Sequence, residues 1–333
     1  GLVEAFGSNY RIKNTSNNNF FVIEGDEYDT AFFNKVSKFL HYRPHYAILT
    51  SIEFDHADIF SNLDQIKATF NQFVDLIPPE GALVACMDDP IVAETAPRCQ
   101  GKIIGYGTGK NSTWQLRDLT VSGLTSQFAA YHQDSLFGTF QLPLPGKHNA
   151  LNALAVIALM EHLGIAQQDI HKGVASFEGV KRRQQIRGEV DGITIIDDFA
   201  HHPTAVRETI NALRLAWPKR RLIIVFEPRT NTSRRAIFQE EYATAFNGAD
   251  CVMVREIVPL ANTSLAESFS SSRLVNALNQ QDIQAAYFPD TEAILATLPE
   301  QARPGDVIAI LSNGGFDNIH EQLLERLTAL QTT

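Results

Sequence analysis

Short apolar runs that end in polar clusters recur along the first half of the chain. A continuous apolar run of about four to eight residues is typical of a strand buried in a parallel sheet, whereas apolar residues spaced by three and four indicate a helix. The predicted elements are strands at 20–23, 46–49, 82–86 and 103–104, a helix at 63–77, a β-rich insert with segments at 114–121, 126–132 and 137–142, and an Ala- and Leu-rich helix at 149–163.

The second half alternates regularly between strand-like and helix-like segments. The predicted strands are 193–196, 222–226, 251–254, 285–288 and 307–311, and the predicted helices are 205–216, 235–246, 265–278, 291–298 and 319–330. This alternation predicts a second α/β domain with a mostly parallel sheet. The boundary is expected between Lys181 and Glu189, where a basic run meets Gly188, and we assign 1–186 to the first domain and 187–333 to the second.

Composition and charge narrow the functional classes. The 333 residues include 28 basic and 38 acidic side chains, a formal net charge of -10, which argues against a general nucleic-acid-binding protein. Three cysteines without a CxxC pair suit a reducing compartment. No stretch reaches the roughly 18 apolar residues of a membrane helix, and no signal-peptide pattern opens the chain. We therefore expect a soluble cytoplasmic protein without a membrane partner.

The strongest candidate for a functional site is segment 197–204, Asp-Asp-Phe-Ala-His-His-Pro-Thr, which follows the predicted strand 193–196. Ligands of open parallel sheets bind beyond the carboxyl ends of strands, and the start of a helix near Pro203 turns free N–H groups toward anions. The alternative is a strand that ends in a solvated loop, with its acids and imidazoles facing water.

Acidic clusters follow the first two predicted strands and raise the question of a metal. Glu24, Asp26 and Glu27 follow the first strand, and Asp55 and His56 follow the second. Hard oxygen ligands favour magnesium, which takes one or two carboxylates and completes its shell with water and phosphate, over zinc. The alternative is that His56 is a solvated or salt-bridged histidine.

Two further segments suggest nucleotide binding. Segment 146–152, Gly-Lys-His-Asn-Ala-Leu-Asn, opens a helix in which Asn149 and Asn152 are one turn apart, which suits the donor and acceptor edge of a purine. An ordinary helix cap is the alternative. The basic triplet 181–183 offers guanidinium groups for phosphate, although such a run is also common on a solvated surface.

Segments 227–232 and 312–316 add polar clusters at strand ends of the second domain, the latter with glycines that let backbone N–H groups approach an anion.

Together these motifs resemble the Mur ligase superfamily of ATP-dependent amide ligases. The resemblance covers nearly the whole chain and is carried by segments 24–29, 53–58, 146–152, 177–183 and 197–204, in the family's order. Segments 37–44, 53–60 and 312–316 are most similar to the murein peptide ligase branch. The fold implied is a central ATPase domain, incomplete here, followed by a Rossmann-like C-terminal domain.

The activity implied is the joining of UDP-N-acetylmuramate to the murein tripeptide L-Ala-γ-D-Glu-meso-diaminopimelate through an acyl phosphate, with ATP and Mg²⁺, in peptidoglycan recycling. The residues that match the family's magnesium ligands are Glu24 and His56. Those that match its adenosine-binding positions are His148, Asn149 and Asn152. Arg183 matches a residue that reaches the phosphates, and Asp197 matches an acid near the ribose and metal.

The resemblance also implies an amine-substrate site in the second domain. Phe199, His201 and Arg229 match positions that related ligases use for the incoming amino acid, and Asn231 and Asn313 are added from the polar clusters around them. His201 is our candidate to orient or deprotonate the amine, with Arg183 and Asp197 as further catalytic residues. The division of labour between His201 and His202 stays open.

Two features depart from the family pattern. The printed sequence contains no P-loop of the form G-x-x-x-x-G-K-[ST], so we expect the P-loop and the sugar-nucleotide domain to lie outside it. The segment 228–234, Pro-Arg-Thr-Asn-Thr-Ser-Arg, replaces the His-Arg-x-x-Arg-Thr guanidinium clamp of muramate–alanine ligases. The alanine of a tripeptide has no free carboxylate, so one guanidinium of that clamp would be left unpaired with a peptide substrate.

Three alternatives stay open on the sequence alone. A muramate–alanine ligase and a folate-polyglutamate synthetase-like ligase are the enzymes with related architecture. A nucleotide-binding module without turnover is the third, and the missing P-loop favours it for the 333 residues alone.

Overall fold

The computed structural model describes residues 20–30, 35–260, 264 and 266–331, and two sheets of six strands each form its framework. Helices accompany both sheets, so the α/β class predicted from the sequence is confirmed. Among these residues, no helix is both long and apolar enough to cross a membrane.

The first sheet has its strands in the order β1 to β6, with parallel pairing from β1 to β4 and antiparallel pairing from β4 to β6. Its strands are β1 Tyr46–Leu49, β2 Ala82–Cys86, β3 Lys102–Gly107, β4 Trp114–Ser122, β5 Thr125–His132 and β6 Ser135–Leu142. The helices of this part are α1 Leu63–Asp75, α2 Pro90–Thr95, α3 Lys147–His162 and α4 Gln167–Ala175. The predicted β-rich insert is confirmed as β4 to β6.

The second sheet has the strand order β11-β10-β9-β12-β8-β7, and only its edge strand β7 is antiparallel. Its strands are β7 Gln185–Val190, β8 Ile193–Asp198, β9 Leu222–Phe226, β10 Cys251–Arg255, β11 Gln284–Phe288 and β12 Val307–Leu311. Its helices are α5 Pro203–Ala216, α6 Gln239–Ala245, α7 Ser271–Asn279, α8 Thr291–Gln301 and α9 Ile319–Gln331.

The second sheet is buried on both faces, which explains the continuous apolar runs of its strands. Leu222 and Phe226 of β9 belong to a core shared with α5, α6 and α7, whereas Ile223 and Val225 belong to a core shared with α8 and α9. Alternate side chains of a strand point to opposite faces, so one strand supplies both cores. Polar side chains are therefore left to the strand ends, where ligands can reach them.

The strand predicted at 20–23 is wrong. These residues form no regular element, and the side chains of Phe21 and Val22 are 79% and 91% exposed. A continuous apolar run becomes a buried strand only when other strands pair with it, and within the described ranges β1 pairs with β2 alone. Composition cannot show whether such partners exist.

Two predicted helices are shorter than the sequence pattern indicated. The helix expected from residue 265 begins at Ser271, because the hydroxyl of Ser270 accepts from the N–H of Arg273 and caps it there. Residue 265 lies outside the described residues. The helix expected at 235–246 is a 3₁₀ turn, Ala236–Phe238, followed by α6.

After the first sheet the chain forms α3 and α4, which pack in the core of that sheet, and it enters the second sheet where β7 begins at Gln185. The boundary drawn at 186/187 stays a prediction, and the first two residues of β7 already pair with β8 of the second sheet.

Candidate active site

A cavity of about 1230 Å³ opens at the junction of the two sheets and is lined from both sides; we call it the junction cavity. The first part of the chain contributes the loop after β1 and the start of α3, and the second contributes the end of β8 and the start of α5. The sequence-predicted residues that line it are His56, His148, Asn149, Asn152 and Arg183. The predicted residues that are not part of its described wall are Glu24, Asp197, Phe199, His201, Arg229, Asn231 and Asn313.

The start of α3 forms one wall of the junction cavity. Gly146, its N-cap, has a φ of 107°, and a Cβ there would lie 2.5 Å from the Cβ of Ala212, so the position requires glycine. The Nδ1 atom of His148 is buried without a hydrogen-bond partner among the described residues. Burial, helped by the charge of Arg183, lowers the pKa of His148 to about 4. The imidazole is therefore neutral at pH 7 and keeps one ring nitrogen for a ligand.

Asn149 and Asn152 lie one turn apart on α3 but have different surroundings. The Nδ2 atom of Asn149 donates to the carbonyl oxygen of Pro145 at 2.8 Å and to Oε1 of Gln184 at 3.2 Å. Asn149 does not cap the helix, because the N-cap is Gly146. Its amide ties α3 to the segment before β7, whereas Asn152 is exposed on the cavity wall. Asn152 is thus the amide presented to a ligand.

The guanidinium groups of Arg182 and Arg183 both lie against the ring of Phe199, 5.1 and 5.2 Å from its centroid. An arginine over an aromatic face is stabilised by the ring, so Phe199 helps to hold Arg183 at the cavity wall. Arg182 donates instead to the carbonyl oxygen of Gly314 and lies 3.4 Å from Asp197. The expected contact of Phe199 with an amine substrate stays a prediction, and Arg182 of the basic triplet contacts Gly314 and Asp197 within the protein.

Asp197 and Asp198 end β8 and point to opposite faces of the second sheet. The oxygens of Asp197 lie 3.4 Å from nitrogens of Arg182, Arg187 and His320. Burial alone would raise the pKa of Asp197, but His320 and Arg182 outweigh it and hold the pKa below its usual value. Asp197 thus faces α9 rather than the junction cavity, and the role expected for it near the ribose stays a prediction.

Asp198, which the sequence reasoning did not single out, lines the junction cavity. Its carboxylate accepts from the N–H of Gln184 and the N–H of Ala200, both at 2.8 Å, and from Oγ1 of Thr209 at 3.3 Å. Complete burial raises its pKa in spite of these donors. Asp198 therefore fastens the segment after Arg183 to the turn that carries the two histidines.

His56 lies in a cluster of acids. Its Nε2 atom is 2.6 Å from Oε1 of Glu27 and 3.8 Å from Oδ2 of Asp55, and the ring of Tyr28 packs edge-on at 4.2 Å. Burial would lower the pKa of His56, but the hydrogen bond to Glu27 and the charges of Asp55 and Asp58 outweigh it and raise the pKa. Burial, followed by the charges of Asp26, Glu27, Asp55 and Asp58, raises the pKa of Tyr28 to about 12. The cluster is rich in negative charge and suited to a cation.

The structure does not place the two predicted magnesium ligands on one wall, since Glu24 is exposed whereas His56 contacts Glu27. No group of three or more metal-ligating side chains is assembled in the described part of the chain. Mg²⁺ needs only one or two carboxylates besides water and phosphate, so one of the carboxylates beside His56 would suffice for an ion that is held jointly with a nucleotide. Glu24 stays a prediction for this shell.

His201 has the geometry of a general base. Its Nδ1 atom is 3.0 Å from the carbonyl oxygen of Phe199, which can only accept, so Nδ1 carries the proton and Nε2 is basic. Nε2 faces Oδ2 of Asp55 across 3.9 Å. Burial lowers the pKa of His201, so the imidazole is neutral at pH 7.

His202 is a structural link between the two domains. It caps α5 by accepting from the N–H of Thr204, and its Nε2 atom donates to the carbonyl oxygen of Phe54 at 3.1 Å. Beside it, Oγ1 of Thr204 donates to Oε2 of Glu53 at 2.6 Å. The neighbouring histidines therefore differ in role, and only His201 has an unused basic nitrogen.

The loop after β9 continues this junction. The N–H of Ala57 donates to Oγ1 of Thr232 at 3.1 Å, and Nδ2 of Asn231 donates to Oδ2 of Asp58 at 3.1 Å. Asn231 thus contacts the acidic loop that carries His56, and its expected contact with substrate stays a prediction. These bonds bring the two domains together around His201.

Arg229 lines a second cavity of about 350 Å³ at the carboxyl ends of β9 and β10; we call it the distal cavity. The guanidinium lies 3.5 Å from Glu227, and a Cβ at Gly314 would lie 2.3 Å from the Arg229 side chain, so glycine permits this approach. The Oδ1 atom of Asn313, next in the chain to Gly314, is buried without a partner among the described residues. Two of the predicted substrate residues are therefore neighbours.

Two family models match the chain. The Mur ligase middle domain matches residues 4–160, and the Mur ligase, glutamate ligase domain matches residues 182–314. The first range contains the first sheet, and the second contains every strand of the second sheet from β7 to β12.

Relatives of known name match over nearly the whole chain. It is 34% identical to the UDP-N-acetylmuramate–L-alanine ligase of Salinibacter ruber over 328 residues, covering 98% of this chain and 66% of that protein. It is 36% identical to the UDP-N-acetylmuramate–L-alanyl-gamma-D-glutamyl-meso-2,6-diaminoheptandioate ligase of Escherichia coli over 313 residues, covering 92% and 65%. The crystal structure of a murein peptide ligase from Psychrobacter arcticus superposes with a TM-score of 0.66 at 32% identity, covering 96% and 66%. The chain spans about two thirds of the length of these relatives. It belongs to the Mur ligase family.

Proposed function

We propose that the protein is an ATP-dependent amide ligase that joins UDP-N-acetylmuramate to the tripeptide L-Ala-γ-D-Glu-meso-diaminopimelate in cytoplasmic peptidoglycan recycling. The observation that carries the proposal is the junction cavity, where a neutral imidazole with an unused nitrogen, a guanidinium and an acidic cluster converge. Family membership and the names of the Escherichia coli and Psychrobacter arcticus relatives support it.

The start of α3 and the junction are suited to ATP and Mg²⁺. His148 and Asn152 would hold the adenosine, and Arg183, steadied by Phe199, would meet the phosphates. Mg²⁺, held by His56 and neighbouring carboxylates, would supply charge neutralisation for phosphoryl transfer. The protein itself contributes by holding these side chains in position beforehand. They therefore need little rearrangement when negative charge develops on the transferring phosphoryl group.

His201 would take the proton of the attacking amine. The nitrogen–carbon bond forms at the activated carboxyl carbon, the carbon–oxygen bond to phosphate breaks, and the proton passes to Nε2 of His201. The lowered pKa of His201 keeps Nε2 unprotonated beforehand, and Asp55, 3.9 Å away, would stabilise the imidazolium that results.

A UDP-N-acetylmuramate–L-alanine ligase is the second candidate, because the Salinibacter ruber relative carries that name. Free alanine brings a carboxylate, for which a pair of guanidiniums would be fitting. Arg234, the second arginine of this loop, donates to the carbonyl oxygens of Thr230 and Val258 and to Oδ1 of Asn231. Only Arg229 is left half exposed, which favours a peptide whose alanine carboxyl is already in an amide bond.

Phosphate release by the full-length protein tests the ligase activity. We expect release from ATP that requires Mg²⁺, UDP-N-acetylmuramate and the tripeptide together. Arg183→Gln is expected to slow it by about 10²-fold or more, as for the loss of a charge-stabilising group. Arg273→Gln is the matched control, since Arg273 is exposed and pairs with Glu240 on the surface. Equal release without the sugar nucleotide would contradict the proposal.

A further inference from the structure

Residues 182–184, just before β7, have an unusual backbone conformation. Arg182 has a φ of 62° and Gln184 has a φ of 50°. Both angles lie in the left-handed region, where the Cβ of any residue other than glycine crowds the backbone. Such a conformation persists where the surrounding contacts enforce it, and it is concentrated at functional sites. The contacts of residues 182–184 therefore indicate which side chain this conformation serves.

The backbone of this turn is fastened to the residues that end and follow β8. The N–H of Phe199 donates to the carbonyl oxygen of Arg182 at 2.8 Å. The N–H of Gln184 donates to Oδ2 of Asp198, also at 2.8 Å. These two bonds hold the chain on both sides of Arg183, so they fix the point from which its side chain extends.

The turn sends its two guanidinium groups to different places. Arg183 lines the junction cavity, whereas Arg182 is not part of the described wall of that cavity. Arg182 donates to the carbonyl oxygens of Ser312 and Gly314, the latter at 2.6 Å, and its Nε atom lies 3.4 Å from Oδ1 of Asp197. Its partners belong to the carboxyl ends of β12 and β8, two strands that pair with each other. Arg182 is thus held on the most regular part of the second sheet.

The chemistry of these partners suits arginine. A planar guanidinium with five donors in fixed directions can serve two carbonyl oxygens and a carboxylate at once, whereas a lysine ammonium on a flexible stem is less well suited to such a set. Asp197 is buried, so the charge of Arg182 compensates a carboxylate that is removed from water. The donors of Arg182 are therefore engaged within the protein and are not free for an anion in the junction cavity.

Arg183 is held in a different way. In the part of the chain that the structure describes, its side chain has no hydrogen bond and no ion pair, and its guanidinium lies against the ring of Phe199. The same ring contacts the guanidinium of Arg182. The position of Arg183 therefore depends on the backbone turn and on this ring, and Arg182 contacts both, while the donors of Arg183 stay free for a ligand.

We infer that Arg182 is a positioning residue, whose guanidinium holds the left-handed turn and the ring of Phe199 so that Arg183 points into the junction cavity. This inference rests on the proposed function, in which Arg183 meets the phosphates of ATP. Arg182 does not contact the nucleotide and acts through its neighbour.

A double-variant cycle in the full-length protein tests this role. The variants are Arg182→Gln, Arg183→Gln and the two combined. Calorimetric titration with a non-hydrolysable ATP analogue and Mg²⁺ measures the affinity, and phosphate release measures kcat. We expect Arg182→Gln alone to lower both by about tenfold, as for the loss of charged hydrogen bonds. In the Arg183→Gln background it should change either quantity by less than about twofold, because two residues that act as one unit are not additive.

Two further variants separate positioning from general stability. Arg187→Gln is the matched control, because Arg187 also lies 3.4 Å from Asp197 but otherwise pairs with Glu321, away from the ring of Phe199. Its affinity and kcat should stay within about twofold of wild type. Arg182→Lys keeps the charge and one donor for a carbonyl oxygen, so its loss should be smaller than that of Arg182→Gln. Urea denaturation shows whether each variant is folded.

A tenfold loss from Arg182→Gln in the Arg183→Gln background would overturn the inference, because Arg182 would then act independently of Arg183. Wild-type affinity and kcat in Arg182→Gln would also overturn it, and in both cases the ligase proposal stands. The expected cycle in the binding data without any phosphate release would overturn the ligase proposal and leave the role of Arg182 standing. A wild-type protein that does not bind the analogue would overturn both.

Discussion

Replacing His201 with alanine is expected to lower the kcat of the full-length enzyme by about 10²- to 10⁴-fold, the usual contribution of a positioned general base. His201 is suited to this role because its Nδ1 proton is fixed on the carbonyl oxygen of Phe199, which leaves Nε2 basic. Steady-state phosphate release with saturating substrates measures the effect. The KM for ATP should change little, since His201 is not among the described residues that line the junction cavity.

The pH dependence separates a base from a structural histidine. Burial lowers the pKa of His201, so the imidazole stays neutral to a lower pH than a free histidine. The rate should therefore fall with acid only below the ordinary histidine range, and that acidic limb should vanish in His201→Ala. His45→Ala is the control, because His45 is exposed and lines neither cavity, so its kcat and acidic limb should stay those of wild type. A wild-type kcat in the His201→Ala enzyme would show that His201 is not the general base.

Asp198→Ala is expected to lower the free energy of unfolding by about 3 to 5 kcal/mol. The substitution leaves three buried donors without their acceptor: the N–H groups of Gln184 and Ala200 and the hydroxyl of Thr209. Urea denaturation of the chain measures the change. Asp169→Ala is the control, since Asp169 is exposed on α4 and its pair with Lys172 at 3.5 Å contributes little. A loss below about 1 kcal/mol at Asp198 would show that these donors find other partners.

The fold of the second domain was largely predictable, because a sheet buried on both faces leaves continuous apolar runs that match β9 and β12 residue for residue. The same kind of run at 20–23 gave a wrong strand. Burial of a strand depends on the strands that pair with it, and no pattern within four residues reports on them.

The candidate site was predictable in its segments but less so in its individual residues. β8 is apolar on both faces, so no alternation in the sequence shows that Asp197 faces α9 while Asp198 faces the junction cavity. Arg183 lines the junction cavity, whereas Arg182 contacts Gly314 and Asp197. The sequence likewise does not show in which direction each of these side chains points after the turn. The role of His202 had a usable signal, because Pro203 favours the first helical position and makes the preceding residue the N-cap.

A competition assay tests the proposed substrate most directly. The full-length enzyme is given ATP, Mg²⁺ and UDP-N-acetylmuramate with equal concentrations of L-alanine and of the tripeptide. Mass spectrometry then identifies and quantifies the products. Arg234 donates to backbone carbonyl oxygens, which leaves only Arg229 for a free carboxylate, so we expect the UDP-N-acetylmuramoyl-tripeptide to be the dominant product. A dominant or equal yield of UDP-N-acetylmuramoyl-L-alanine would contradict the assignment.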